Sequence, residues 1–306
     1  MIGRMSSIQL HQSSLDVILD AQARLQRSQE ELASGTKILT PSDDPVSSAR
    51  IMSVQSELSR IESYQRNADT ANAELRTIES TLASVEQVVM RVQELALRGN
   101  NGALNDQDRR VIALEISGLR DQLLAISRTQ NESGEFVFSG SRTDAAPYEQ
   151  VDGELQFVGD DLVRSVNLAS AITLETRVAA ESVFGPSGAA DQSLFETFDL
   201  LGDALSDSEL PNDQFATTMA SALNSLSSGL ERVTSERAVV GLKMNRVDDQ
   251  ISLNDSFNLK LQETLSGLQD LDYAKAISEM NLQMVALEAA QKAYTNTQGL
   301  SLFNYL

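Results

Sequence analysis

The distribution of proline constrains the fold of this chain more than any other feature of its sequence. The five prolines lie at positions 41, 45, 147, 186 and 211, so residues 46–146 and 212–306 contain none. Proline reliably ends a helix because it lacks an amide hydrogen and its ring clashes with the preceding turn. The sequence therefore predicts two long helical arms on either side of a broken middle.

Apolar residues recur every three or four positions along the first arm, as one face of a packed helix requires. This repeat runs from Ile51 to Val92 and is interrupted at residues 100–102. Asn105 or Asp106 can then cap a second helix, because asparagine and aspartate accept hydrogen bonds from the free amides of a first turn. We expect a helical hairpin here.

The second arm shows the same spacing from about Phe215 onward. Gly229, Gly241 and Gly267 fall inside it, and a glycine costs about 1 kcal/mol relative to alanine in a helix interior. We therefore treat these three glycines as candidate helix breaks.

The segment between the arms changes to the alternating period of strands. Residues 136–138 predict one strand, and Asp152-Gly153 predicts a two-residue hairpin turn between residues 148–151 and 154–157. Further strands are expected near residues 163–168 and 172–176. The predicted fold class is mainly α with a β-rich insertion, that is α+β.

The charge of the chain argues against nucleic acid as a partner. There are 24 Lys and Arg residues against 44 Asp and Glu residues, a net charge of -20, and residues 144–213 alone carry -13. Binding a phosphate backbone requires a basic face. We interpret the acidic middle as a solubilising surface that faces water. We assign it no specific ligand, because its acidic residues do not have the spacing of a calcium-binding loop.

The composition also removes most catalytic chemistry. The chain has no cysteine and one histidine, His11, which excludes thiol nucleophiles, disulfides and multi-histidine metal sites. We expect no catalytic, cofactor or metal site. No run approaches the about 20 apolar residues of a membrane span. The first fifteen residues lack the apolar core of a cleaved secretory signal, so any export would use another route.

Both ends of the chain carry a heptad stripe that includes polar residues. Neither helix can bury its stripe alone. We expect the two terminal helices to pair in a coiled coil, which would make the molecule elongated with the β-rich middle at its far end. Separate docking of the two helices on one helical bundle is the alternative. The expected interface residues are Leu15, Ile18, Leu25, Leu32, Ile277, Met284, Leu287 and Tyr294.

The last eighteen residues, 289–306, hold one charged side chain, Lys292. They finish with a cluster that includes Leu302, Phe303 and Leu306. Contiguous apolar surface of this kind is typical of a contact with another chain. We expect these residues to contact another subunit.

A local signature joins the first helix to the first arm. Ser34-Gly35 ends a helix, and Asp43-Asp44-Pro45 follows after a short basic and apolar link. This pattern resembles the N-terminal signature of the flagellin family. Helix capping by Gly35, Asp44 and Pro45 accounts for the same residues locally. Residues 271–278 and 300–306 resemble the C-terminal helix of that family, and the aromatic ending is similar to its members that join the flagellar hook to the filament.

The resemblance implies a division into three domains. These are a terminal coiled-coil domain (residues 1–45 and 270–306), a helical rod domain (46–134 and 212–269) and an acidic, β-rich outer domain (135–211). It also implies a structural role at the hook–filament junction outside the cell, and export through the flagellar type III apparatus without a cleaved signal peptide. The implied partners are the first hook-associated protein, flagellin, an export chaperone and a ring of about eleven copies of the chain.

Two other functions stay open at this point. The chain could be a short flagellin that forms the filament itself, although the aromatic ending argues against that. It could also be a cytoplasmic helical scaffold or signalling bundle, but this leaves the β-rich insertion and the Asp-Asp-Pro segment unexplained.

Overall fold

The computed structural model describes residues 7–151, 154–160, 162, 164–186 and 192–303. Contacts divide the chain into two compact units, the first built from residues 1–60 and 257–306 and the second from residues 61–256. In chain order the elements are α1 (Ser7–Ser34), α2 (Pro45–Gly99), α3 (Asp106–Ser127), β1 (Tyr148–Val151), β2 (Glu154–Phe157), β3 (Ser165–Ala169), β4 (Ile172–Glu175), α4 (Ala180–Phe184), α5 (Leu194–Ser206), α6 (Asn212–Gln269) and α7 (Tyr273–Phe303). The predicted α+β class is confirmed.

The helix starts follow from capping side chains. The Asn105 side chain accepts a hydrogen bond from the Asp108 amide at 2.8 Å, which starts α3. Arg91 of α2 pairs with Glu115 of α3 at 2.6 Å across the turn, which confirms the predicted helical hairpin. At the start of α5, Ser193 and Glu196 form a capping box, in which each side chain accepts from the other's backbone amide. Within the described residues, none of the helices is both long and apolar enough to cross a membrane.

The core of the second unit contains the apolar face predicted for the first arm. Ala68, Leu75, Leu82, Val85 and Val89 of α2 are fully buried. Residues of α3, α5 and α6 complete the same cluster, among them Ile116, Leu123, Phe198, Leu226 and Val240. The three-to-four spacing therefore predicted the buried side of α2 correctly.

The three glycines of the second arm do not break its helix, contrary to expectation. Helix α6 runs from Asn212 to Gln269 without interruption. At Gly229 an added Cβ would lie 2.4 Å from Leu194 Cδ2, so this glycine allows α5 to approach closely. Gly241 and Gly267 have no such neighbour within 4 Å. The cost of a glycine is outweighed here by the burial of the rest of the helix.

The strands form two separate antiparallel hairpins among the described residues, β1–β2 and β3–β4. Val151 pairs with Glu154, as the predicted two-residue turn requires. The second hairpin is irregular between Asn167 and Ala169, and its freed carbonyls accept hydrogen bonds from helices. Asn67 of α2 donates to Asn167 O at 2.9 Å, and Asn254 of α6 donates to Leu168 O at 3.2 Å.

The strand predicted at residues 136–138 is wrong. Apart from an isolated bridge between Gln130 and Phe136, this segment is irregular. Its amides donate to other irregular segments, Phe136 to Thr143 O at 2.9 Å and Val137 to Thr129 O at 3.0 Å. The buried Arg177 guanidinium donates to Phe136 O at 3.3 Å and Gly140 O at 3.1 Å and pairs with Glu135 at 2.7 Å. A strand partner is therefore not needed.

Residues 135–211 contain helices as well as strands. Helices α4 and α5 lie in this segment, and their Phe184 and Phe195 stack with ring centroids 5.5 Å apart. Tyr148 of β1 packs edge-on against both rings, and its burial raises the pKa of its hydroxyl. The predicted β-rich insertion is present and also contains two helices that the sequence did not predict, and the three-domain division stays a prediction.

Candidate subunit-assembly site

The first unit is closed by a set of contacts between residues 35–37 and residues 267–273, which we call the terminal clamp. The Leu271 amide donates to Gly35 O at 3.0 Å, and the Lys37 amide donates to Gln269 O at 2.9 Å. The Lys37 ammonium also donates to Gly267 O at 2.7 Å. Residues far apart in the sequence are thereby held at one register.

Gly35 has the backbone conformation that the clamp requires. Its φ is +71°, in the left-handed region, and its amide donates to Glu31 O at 2.9 Å to end α1. A Cβ at Gly35 would lie 2.7 Å from the hydroxyl of Tyr273, the first residue of α7. The helix end predicted at Ser34-Gly35 therefore lies in space beside the first residue of α7.

The Asp-Asp-Pro segment caps α2. The Asp44 carboxylate accepts hydrogen bonds from the amides of Val46 and Ser47 at 3.1 and 3.0 Å, and Pro45 is the first helical residue. Hydrogen bonds from the Ser47 side chain and backbone lower the pKa of Asp44. Pro45 suits this position because a first-turn residue needs no amide hydrogen.

Asp43 connects the same segment to α1. Its carboxylate accepts a hydrogen bond from the Thr40 amide at 2.9 Å and pairs with Arg27 at 2.9 Å. The Thr40 hydrogen bond and then the charge of Arg27 lower the pKa of Asp43. The two aspartates of the signature thus have different roles. Asp44 caps α2, whereas Asp43 holds residues 36–44, which we call the connector, against α1.

Helices α1 and α7 pack against each other in antiparallel orientation. Gly35 meets Leu271 at one end, and Ser28 Oγ donates to Gln283 Oε1 at 2.9 Å further along, so the numbers rise on one helix as they fall on the other. A polar pair within a helix seam fixes register at some cost in stability. The predicted pairing of the terminal helices is present.

The buried seam alternates small or polar residues with large ones on both helices. Of the predicted residues, Ile18, Leu25 and Leu32 of α1 and Leu287 and Tyr294 of α7 are partly buried on it. The alternate positions were not predicted and are Ser14, Ala21 and Ser28 on α1 and Ala276, Gln283 and Ala290 on α7. Except for Gln283 these alternate residues are small, which lets the two helix backbones approach closely.

Three predicted interface residues lie one position beside this seam and are exposed. Leu15, Ile277 and Met284 keep 38%, 44% and 37% of their surface exposed. Leu282 and Val285 are exposed further round α7. The pair itself therefore leaves these three apolar side chains uncovered on its two helices, and we call Leu15, Ile277 and Met284 together the flanking strip.

The contact residues predicted at the end of the chain are Leu302, Phe303 and Leu306. Leu302 and Phe303 lie in the last turn of α7, where the structure describes the backbone and not the side chains, and Leu306 lies outside the described residues. Among the described residues, no cluster of histidine, aspartate and glutamate could hold a metal ion. What the geometry of the first unit offers is helix association.

Sequence reasoning missed the partners of the signature. Lys37 lies in the basic and apolar link and Tyr273 within residues 271–278, but nothing in the sequence pairs them with Gly267 and Gly35. A basic residue just after a helix end was the available signal for Lys37, because free carbonyls at the end of another helix accept its ammonium.

Two family models match this chain. The bacterial flagellin N-terminal helical region matches residues 5–143, and the bacterial flagellin C-terminal helical region matches residues 219–306. Together they cover about three quarters of the chain. They include all elements of the terminal clamp and of the α1–α7 pair.

Individual proteins show the same relationship. The chain is 28% identical to flagellar hook-associated protein 3 of Escherichia coli, over 98% of both chains, and 26% identical to flagellin of Listeria innocua, over 83% of this chain and 81% of the flagellin. A solved flagellar hook-associated protein from Vibrio parahaemolyticus is 26% identical and superposes with a TM-score of 0.69, covering 74% of this chain and all of its own. The chain therefore belongs to the bacterial flagellin family, a structural and non-enzymatic family, and within it to the group of hook-associated protein 3.

Proposed function

We propose that the chain is a structural protein of the bacterial flagellum that joins the hook to the filament. The observation that supports this most is the extent of the similarity. The match to hook-associated protein 3 spans 98% of both chains, whereas the match to flagellin leaves about a fifth of each uncovered. A junction role requires association with two different neighbours and no chemistry.

The mechanism we propose is helix packing between copies and neighbours. The α1–α7 pair buries one seam within the chain and leaves the flanking strip in water. Each large apolar side chain that becomes buried contributes about 1.5 to 3 kcal/mol. Covering this strip with helices of adjoining subunits would stabilise both the pair and the assembly.

The specific partners belong to this proposal. They are the first hook-associated protein on the hook side, flagellin on the filament side and a ring of about eleven copies. The external position in the flagellum, type III export without a cleaved signal and a chaperone that covers the terminal helices before export belong to it too. The exposed apolar strip supports a chaperone, because such surface associates non-specifically when left in water.

A charge placed on the strip tests the mechanism. Ile277→Glu and Met284→Glu each put a carboxylate where a neighbouring helix would pack, whereas Asn281→Glu puts one on an exposed polar position of the same helix. We expect the first two variants to lose filament attachment in a strain that lacks the native protein, and the third to retain it. Circular dichroism of the purified monomers should be unchanged in all three variants.

Filament attachment by the Ile277→Glu and Met284→Glu variants at the level of the Asn281→Glu control would contradict the packing mechanism. If the wild-type chain is folded but does not restore filament attachment, the junction role itself is contradicted.

A short flagellin is the second candidate function, because both matching family models describe flagellin regions. Assembly of the purified chain on hook ends distinguishes a junction protein from a flagellin. A junction protein should add a limited layer to hook ends, whereas a flagellin should extend long filaments from them under the same conditions. Electron microscopy of seeded hooks reports the difference.

A further inference from the structure

The turn between α2 and α3 contains the only asparagine-glycine step in the sequence, Asn101-Gly102. Both residues are exposed and lie in irregular backbone between Gly99 and Asp106. Neither the clamp nor the α1–α7 pair involves this turn. An exposed asparagine followed by glycine is the arrangement in which the backbone can react with the asparagine side chain.

The local geometry favours that reaction. The Asn101 side-chain oxygen accepts a hydrogen bond from the Ala103 amide at 3.1 Å. This bond folds the Asn101 side chain back over the Gly102 peptide and polarises the carbonyl of the Asn101 side chain. In the described part of the chain the Gly102 amide donates no hydrogen bond, so its nitrogen is free to attack. A Cβ at Gly102 would meet nothing within 4 Å, so there is room for a ring.

We propose that Asn101 is a site of spontaneous deamidation, with water as the co-reactant. The Gly102 nitrogen, after losing its proton to solvent, attacks Asn101 Cγ and forms a new C–N bond. The bond from Cγ to the side-chain nitrogen breaks and ammonia leaves, which gives a five-membered succinimide. Water then opens either ring carbonyl and yields aspartate or isoaspartate at position 101, without oxidation or reduction.

The product changes the turn in two ways. A carboxylate appears just beyond the carboxyl end of α2, where the helix dipole disfavours negative charge. Isoaspartate also adds one carbon to a backbone turn that is closed by the hydrogen bond from the Leu104 amide to Asn101 O at 3.1 Å. The reaction therefore weakens the α2–α3 hairpin as the protein ages and makes each subunit one charge more negative.

Incubation of the folded full-length chain in mildly alkaline buffer, followed by peptide mass spectrometry, tests the proposal. Asn101 should convert several-fold faster than Asn100 in the same turn and than Asn131 before Glu132, with isoaspartate in excess over aspartate. Gly102→Ala should slow the conversion several-fold, because the methyl group crowds the attacking nitrogen. The substitution suits the backbone, since Gly102 is not among the glycines with positive φ.

A conversion of Asn101 no faster than that of Asn131 in the folded chain would overturn the proposal. Conversion in urea but not in native buffer would overturn it too, because the fold would then be protecting the site. An unchanged rate in Gly102→Ala would show that the backbone nitrogen is not the nucleophile.

Discussion

Gly35 shows how a single residue can decide whether the terminal clamp closes. It has a φ of +71° and lies against Tyr273, and its carbonyl accepts the Leu271 amide. The left-handed conformation is unfavourable for residues with a Cβ, and it is least unfavourable for asparagine. Substitutions at this position can therefore separate the effect of backbone strain from that of side-chain contact.

We expect Gly35→Ala to destabilise the first unit by about 1 to 2 kcal/mol, the usual cost of the left-handed conformation. Gly35→Asn adds a larger side chain but tolerates this conformation, so it should cost less. Amide exchange of Leu271 and Lys37 measures the effect. An equal or larger loss in Gly35→Asn would mean that contact with Tyr273, rather than backbone strain, limits the site.

The aspartates of the connector predict a dependence on pH. Hydrogen bonds lower the pKa of Asp44 in the folded chain, so its contribution is complete above the ordinary aspartate pKa of about 3.9 and is lost as the pH falls through the lower folded value. We expect the Ser47 amide to shift in an NMR titration below that pH. Asp44→Asn should abolish this shift, and a titration unchanged in the variant would assign it to another group.

Among the helices, α6 offers a matched comparison between two of its glycines, Gly229 and Gly241. An added methyl group at Gly229 would strike the fully buried Leu194, whereas Gly241 faces open space. We expect Gly229→Ala to destabilise the chain by about 1 to 3 kcal/mol through overpacking. Gly241→Ala should stabilise it by up to about 1 kcal/mol. Thermal unfolding measures both, and shifts of the same sign would contradict this account.

The sequence predicted local chemistry better than long-range partners. Asn105, Asp44 and Gly35 were recognised as caps because a cap depends on its immediate neighbours. Arg177 could not be recognised as a buried cation, because the carbonyls of Phe136 and Gly140 that it binds come from an irregular segment about forty residues earlier. The folded chain alone brings those groups together.

The phase of the α1–α7 seam was ambiguous for a different reason. Ile18, Leu25 and Leu32 belong to two overlapping heptad patterns, one through Leu15 and one through Ser14, Ala21 and Ser28. Hydrophobicity favours the first, while close approach of two backbones favours the second. A sequence pattern shows which side chains can be buried, but it does not show which neighbour buries them.

For the whole molecule, the net charge of -20 sets a condition on assembly. Copies of a strongly acidic chain repel one another, and salt screens this repulsion over about 10 Å at 0.1 M. We expect self-association to increase with ionic strength, measured by sedimentation of the purified chain. Association that weakens as salt is added would indicate instead that ion pairs between subunits dominate.

The antiparallel pairing of α1 with α7 also governs the order in which the molecule can fold. Ser28 and Gln283 meet across 255 positions of chain, so this unit requires a loop closure that spans most of the polypeptide. During synthesis on the ribosome, α1 therefore has no partner helix until α7 has been made. The second unit closes over shorter separations, such as the 176 positions between Asn72 and Asp248, so newly made chains should mature from their middle outward.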